Sequence, residues 1–121
     1  MTNSRDPSDL LPLKQDVLLI LIAVAPGPKH GYAIMRDVLE RSGGTLRLQT
    51  GALYRTLKQL LRQDLIAECS APPGTAVDDS RRRYYRTTRF GEQVLAAESD
   101  RLAQLVRAAR FGLAGKTARL A

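Results

Sequence analysis

The stretch TGALYRTLKQLLR, residues 50 to 62, constrains the fold more than any other part of the chain. On a helical wheel Leu53, Leu57, Leu60 and Leu61 fall on one side, while Gly51, Arg55, Lys58 and Arg62 fall on the other. Such a helix needs a core against its leucines and leaves a cationic face outside. Thr50 reads as its N-cap, and Gly51 and Ala52 leave the first turn small. A helix that lets its N-terminal backbone come close to a partner, with cap and dipole favouring negative charge there, is suited to meeting a phosphate.

The segments around it supply that core. Residues 1–9, MTNSRDPSD, hold turn formers and no aliphatic pattern, and read as a loose tail. Apolar residues from Leu13 to Ala25 occupy nearly every side of a wheel, so this helix must be enclosed by its own domain and by something more. Its unbroken part, Val17 to Ala25, is shorter than the roughly 20 apolar residues of a membrane span, and Asp6, Asp9 and Asp16 ahead of it argue against a signal peptide. PGPKHG, 26 to 31, is turn chemistry, and Tyr32, Ile34, Met35, Val38 and Leu39 then fall at helical spacing until Gly43 and Gly44. Beyond residue 64, LIAEC and RRRYYRTT read as two strands joined by the turn-rich SAPPGTAVDDS. Thr88 can cap a last helix, residues 89–111, with residues 112–121 frayed.

Three helices and a hairpin are the element order of a winged helix-turn-helix. The expected fold is therefore mainly α with a small β-hairpin: a winged helix-turn-helix over residues 10–88, followed by a C-terminal dimerisation helix. The dimer expectation rests on two apolar surpluses that one small domain cannot cover. One is the first helix, with Leu18 and Ile22; the other is the stripe Leu95, Leu102, Leu105, Val106 and Ala109.

Charge narrows the partner. Nineteen Lys and Arg against twelve Asp and Glu give a net charge of +7, which suits nucleic acid. In a groove-reading helix Arg55 is placed for a bidentate contact to guanine, while Lys58 and Arg62 lie further along, where phosphates pass. Arg81, Arg82 and Arg83 alternate sides of the second wing strand, so at least one covers its own hairpin and any facing outward grips phosphate. Of Tyr84 and Tyr85, alternation sends one to the core. His30 has no accompanying nucleophile or carboxylate motif, and reads as a cap or a phosphate contact rather than a base. One cysteine and one histidine make neither a disulfide nor a zinc set, so no cofactor and no metal are expected, and a cytoplasmic location is.

The segment GPKHGYAIMRDVLERSGGTLRLQTGALYRTLKQLLRQDLI, followed by RRRYYRTTRFG, resembles the PadR family of bacterial transcriptional regulators over roughly residues 13 to 100. Its most specific parts are HGY at 30–32, GALY at 51–54 and RRRYYRTT leading to Gly91. The resemblance implies a homodimer that represses promoters and is commonly released by an effector, here of unknown identity. It implies DNA contacts from Thr50, Ala52, Tyr54, Arg55 and Lys58, from Tyr32 and from wing arginines, with Lys14 adding a phosphate contact. The alternative function is an architectural or protein-interaction module whose basic face meets DNA without sequence preference.

Overall fold

The computed structural model describes residues 5–120, with side-chain surroundings as far as Lys116. A 3-10 turn, Pro7–Leu10, is capped by the Asp6 carboxylate, which accepts the Ser8 N–H at 3.0 Å. The described part of the segment expected to be a tail is thus ordered from Asp6 onward, because Asp6, Pro7 and Ser8 form a capped turn; residues 1–4 lie outside the described residues. Helix α1 (Gln15–Val24) follows, then a two-residue strand β1 (Lys29–His30), α2 (Gly31–Arg41) and α3 (Thr50–Arg62). Strand β2 (Ile66–Cys69), a one-turn helix α4 (Val77–Ser80), strand β3 (Tyr84–Thr87) and the long α5 (Arg89–Leu120) complete the chain.

The wing holds the expected hairpin of β2 and β3, and a third strand, β1, joins it. Together they form a three-stranded antiparallel sheet in the order β1-β3-β2, with Lys29 opposite Tyr85 and His30 opposite Tyr84 on one edge, and Glu68 opposite Tyr85 on the other. Because β1 runs directly into α2, the wing is hydrogen-bonded to the entrance of that helix. Tyr84 and Tyr85 are both buried, against the expected alternation. Tyr85 joins the main core, while Tyr84 lies edge-on to His30 at 5.4 Å, so the added strand gives the second tyrosine a neighbour of its own.

The core gathers Leu19, Ile20, Leu21, Ala23 and Val24 of α1, Ile34 and Val38 of α2, and Leu53, Leu57 and Leu60 of α3, closed by Leu65, Ile66 and Val94. The joint between α3 and α5 is tight. Thr88 donates its hydroxyl to the Asp64 carbonyl at 2.5 Å and accepts the Gly91 N–H at 2.9 Å, capping α5 as the sequence suggests. A Cβ on Gly91 would fall 2.0 Å from the Leu65 carbonyl oxygen, so only glycine lets the first turn of α5 pass there.

Helix α5 does not end near Phe111. It is helical to Leu120, and Gly112 and Gly115 sit inside it, because glycine weakens a helix without forbidding it.

Candidate nucleic-acid interface

Helix α3 begins one residue earlier than its sequence suggests. Gln49 is the capping position, with extended backbone and no side-chain cap bond, and its carbonyl accepts the Leu53 N–H at 2.9 Å. Thr50 is therefore the first helical residue and not the cap, and stands exposed beside Gly51. A Cβ at Gly51 would meet nothing within 4 Å, so the first turn opens onto free space.

Gly51, Tyr54, Arg55 and Lys58 form one wall of a groove of about 390 Å³ whose other wall is Glu68, Arg83 and Tyr85 of the wing. Arg55 and Lys58 are exposed, with no ion-pair partner among the described residues. Ala52 is half-buried behind them. Tyr54 reaches back across α2: its hydroxyl lies 2.7 Å from where a Cβ on Gly31 would stand, so the glycine of HGY is the seat for the tyrosine of GALY. Neither residue type alone signals that contact in the sequence.

The wing arginines are placed differently from expectation. Arg81, Arg82 and Arg83 precede β3 and do not alternate within it, because the one-turn helix α4 and its cap take up this part of the loop, and all three are exposed. Arg82 pairs with Asp79 at 3.1 Å, and Arg83 faces Glu68 at 3.6 Å. Tyr32 is exposed at the start of α2, with the guanidinium carbons of Arg36 and Arg82 at 5.6 and 6.0 Å from its ring centre. His30 is the cap of α2, its Nδ1 accepting the Ala33 N–H at 3.2 Å. Burial, followed by the charge of Arg82, holds its pKa below the ordinary histidine value, which favours the neutral ring that this bond needs. Lys14 stands apart from the groove, at the cap of α1 beside Gln59 and Gln63.

The expected dimer residues divide. Leu18 and Ile22 are half-buried on α1, and Leu95 packs against the chain's own core, as its position near the start of α5 requires. Leu102 is half-buried; Leu105, Val106 and Ala109 are exposed. Helical spacing continues their stripe to the exposed Leu113, a turn beyond the reach of the sequence reading, while the exposed Phe111 points to the opposite face. Among the described residues no cluster could hold a metal ion, and no helix is long and apolar enough to cross a membrane.

The transcriptional regulator PadR-like family model matches residues 18–97, two thirds of the chain, from α1 through the wing into α5. The chain belongs to the PadR-like family. This PadR-like protein is 33% identical over 88 residues to an uncharacterized 37.1 kDa protein in a transposon of Streptomyces fradiae, of which it spans only 23%. Among solved structures it superposes on a PadR family regulator from Clostridium difficile with a TM-score of 0.68 and 23% identity, covering 83% of this chain and 99% of the other. On a PadR family regulator from Eggerthella lenta the TM-score is 0.59 with 26% identity, covering 88% and 84%. Membership makes the PadR-like chain a DNA-binding transcriptional regulator with the expected winged-helix fold.

Proposed function

We propose that this PadR-like regulator is a homodimeric repressor that reads an inverted-repeat operator, one half-site per α3. The observation that carries the reading is the division of α3: Leu53, Leu57 and Leu60 are sealed in the core, while Gly51, Tyr54, Arg55 and Lys58 face a groove finished by the wing. In this arrangement α3 enters the major groove with its small first turn leading. Arg55 reaches a guanine edge, and Lys58, Arg62 and the wing arginines meet backbone. The exposed stripe on α5 supports a second copy of the chain, which would set two reading helices about one DNA turn, near 34 Å, apart. Such a dimer seated on a promoter blocks polymerase.

Selection of bound fragments from random duplexes tests this directly. The expected product is one inverted repeat, retained against random DNA with a preference of about 10³ or more. Uniform binding to all duplexes would overturn operator reading and leave the architectural alternative.

A further inference from the structure

Tyr32, Arg36, Asp79 and Arg82 meet between α2 and the wing, beside the α3 groove but outside it. Tyr32 and Arg36 are one helical turn apart on α2, and Arg82 arrives from the wing. Both guanidinium groups lie within 6.0 Å of one exposed aromatic ring, a distance at which the ring's negative face attracts each cation. Two like charges are thereby gathered from separate elements onto one spot. One is neutralised, since Arg82 pairs with the wing carboxylate of Asp79. Arg36 has no ion-pair partner among the described residues. The charges of both arginines also bear on His30 and help to lower its pKa, which places the three groups in one electrostatic neighbourhood.

We infer that Arg36 and Arg82 act as one clamp on the DNA backbone, with the Tyr32 ring holding them together and Asp79 occupying the place that phosphate takes over. This rests on the DNA-binding reading above and extends it to Arg36, a residue that the sequence did not mark, and to Asp79, a wing-tip acid, as a competitor. The clamp spans α2 and the wing, so it fixes both to the same stretch of backbone while α3 reads bases between them. The DNA backbone is the better partner for two guanidinium groups, since its successive phosphates offer charged oxygens to both and their neutralisation releases condensed counterions. Asp79 in turn keeps Arg82 in position in the free protein and weakens binding to every sequence by its own repulsion.

Titrations of random and selected duplexes between about 50 and 200 mM salt test the clamp. Arg36→Ala is expected to weaken both duplexes by the same factor and to flatten the salt slope by about one unit per protomer. Tyr32→Ala, which removes no charge, is expected to flatten it too, and Tyr32→Phe, which keeps the ring, to restore what Tyr32→Ala loses. Asp79→Asn is expected to tighten binding to both duplexes several-fold. Thermal melting of each variant confirms that it is folded. A wild-type chain that binds duplex DNA beside an Arg36→Ala chain with unchanged slope overturns the clamp and leaves the DNA reading intact. A slope that survives Tyr32→Ala removes the ring's part in it, and with that the single clamp. A wild-type chain that binds no duplex overturns the DNA reading itself.

Discussion

The carboxylate of Glu98, on α5, accepts the backbone N–H of Leu13 at 2.8 Å, tying the chain ahead of α1 to a helix 85 residues later. The glutamate is 1% exposed and is held from its other side by Arg101 at 2.5 Å. The Arg101 hydrogen bond, with the Leu13 N–H, holds the Glu98 pKa below the ordinary glutamate value although burial pushes it up. A carboxylate with a lowered folded-state pKa stabilises the fold above its unfolded value and loses that contribution as pH falls through the folded one. Glu98→Gln is therefore expected to cost about 1.5–3 kcal/mol at pH 7, the range for a hydrogen bond to a charged group. The gap should begin to shrink below the ordinary glutamate value of about 4.3 and close only well below it, once the folded wild-type carboxyl is itself protonated. Urea midpoints at pH 7 and in acid check this; a gap that does not change with pH would assign the effect to packing.

Gly91 and Gly112 lie on the same helix and should respond oppositely to alanine. At Gly91 the added carbon meets the Leu65 carbonyl, backbone that cannot step aside, and a loss of about 1–3 kcal/mol is expected. At Gly112 nothing lies within 4 Å, and alanine should gain about 0.5–1 kcal/mol from helix propensity. Thermal unfolding of both variants is the measurement, and equal effects would refute the contact at Gly91.

Arg55→Ala and Lys58→Ala separate reading from gripping. Loss of a bidentate base contact is expected to relax preference at one position per half-site, at about 1–3 kcal/mol. Loss of a phosphate contact should weaken all sequences alike and lower the salt slope by about one unit per protomer. Competition binding with single-base operator variants distinguishes them, and the converse pattern would exchange their roles.

Ending the chain after Leu102 keeps Val94, Leu95 and the Glu98–Arg101 pair while removing Leu105, Val106, Ala109 and Leu113. The shortened protein is expected to fold, to sediment as a monomer, and to bind the operator about 10² to 10⁴ times more weakly than the full chain. A full-length chain that sediments as a monomer at micromolar concentration and still binds tightly would remove the dimer from the proposal.

Periodicity revealed α2 and α3 because each buries one face over three turns or so, α1 showed as a continuous apolar run, and the leucines of α3 sit in the core where their spacing put them. Strand β1 escaped because Lys29 and His30 have no pattern of their own; they are a strand only through Tyr84 and Tyr85, more than 50 residues away. The extent of α5 was missed for a local reason, two glycines and a lysine that resemble an ending. Glu98 was missed for a distant one. In the polar run AAESDR nothing separates an acid that faces water from one that holds the Leu13 amide. The groove residues were legible by type and face, whereas the partnership of Gly31 with Tyr54 and the gathering of arginines around Tyr32 depend on contacts between elements.

Only Thr88 stands between the last residue of β3 and the first of α5, and its side chain is fastened at both ends. The wing and the long helix consequently have no hinge between them and turn as a lever with its fulcrum at the Leu65 carbonyl. The 32 residues of α5 extend about 48 Å at 1.5 Å per residue, so a tilt of about 5° at the joint carries the far end about 4 Å. The same geometry works in reverse. Whatever grips the outer half of α5 bears on the angle of the wing against the groove, and a displacement there arrives, reduced by the length of the arm, at the exposed arginines of the wing.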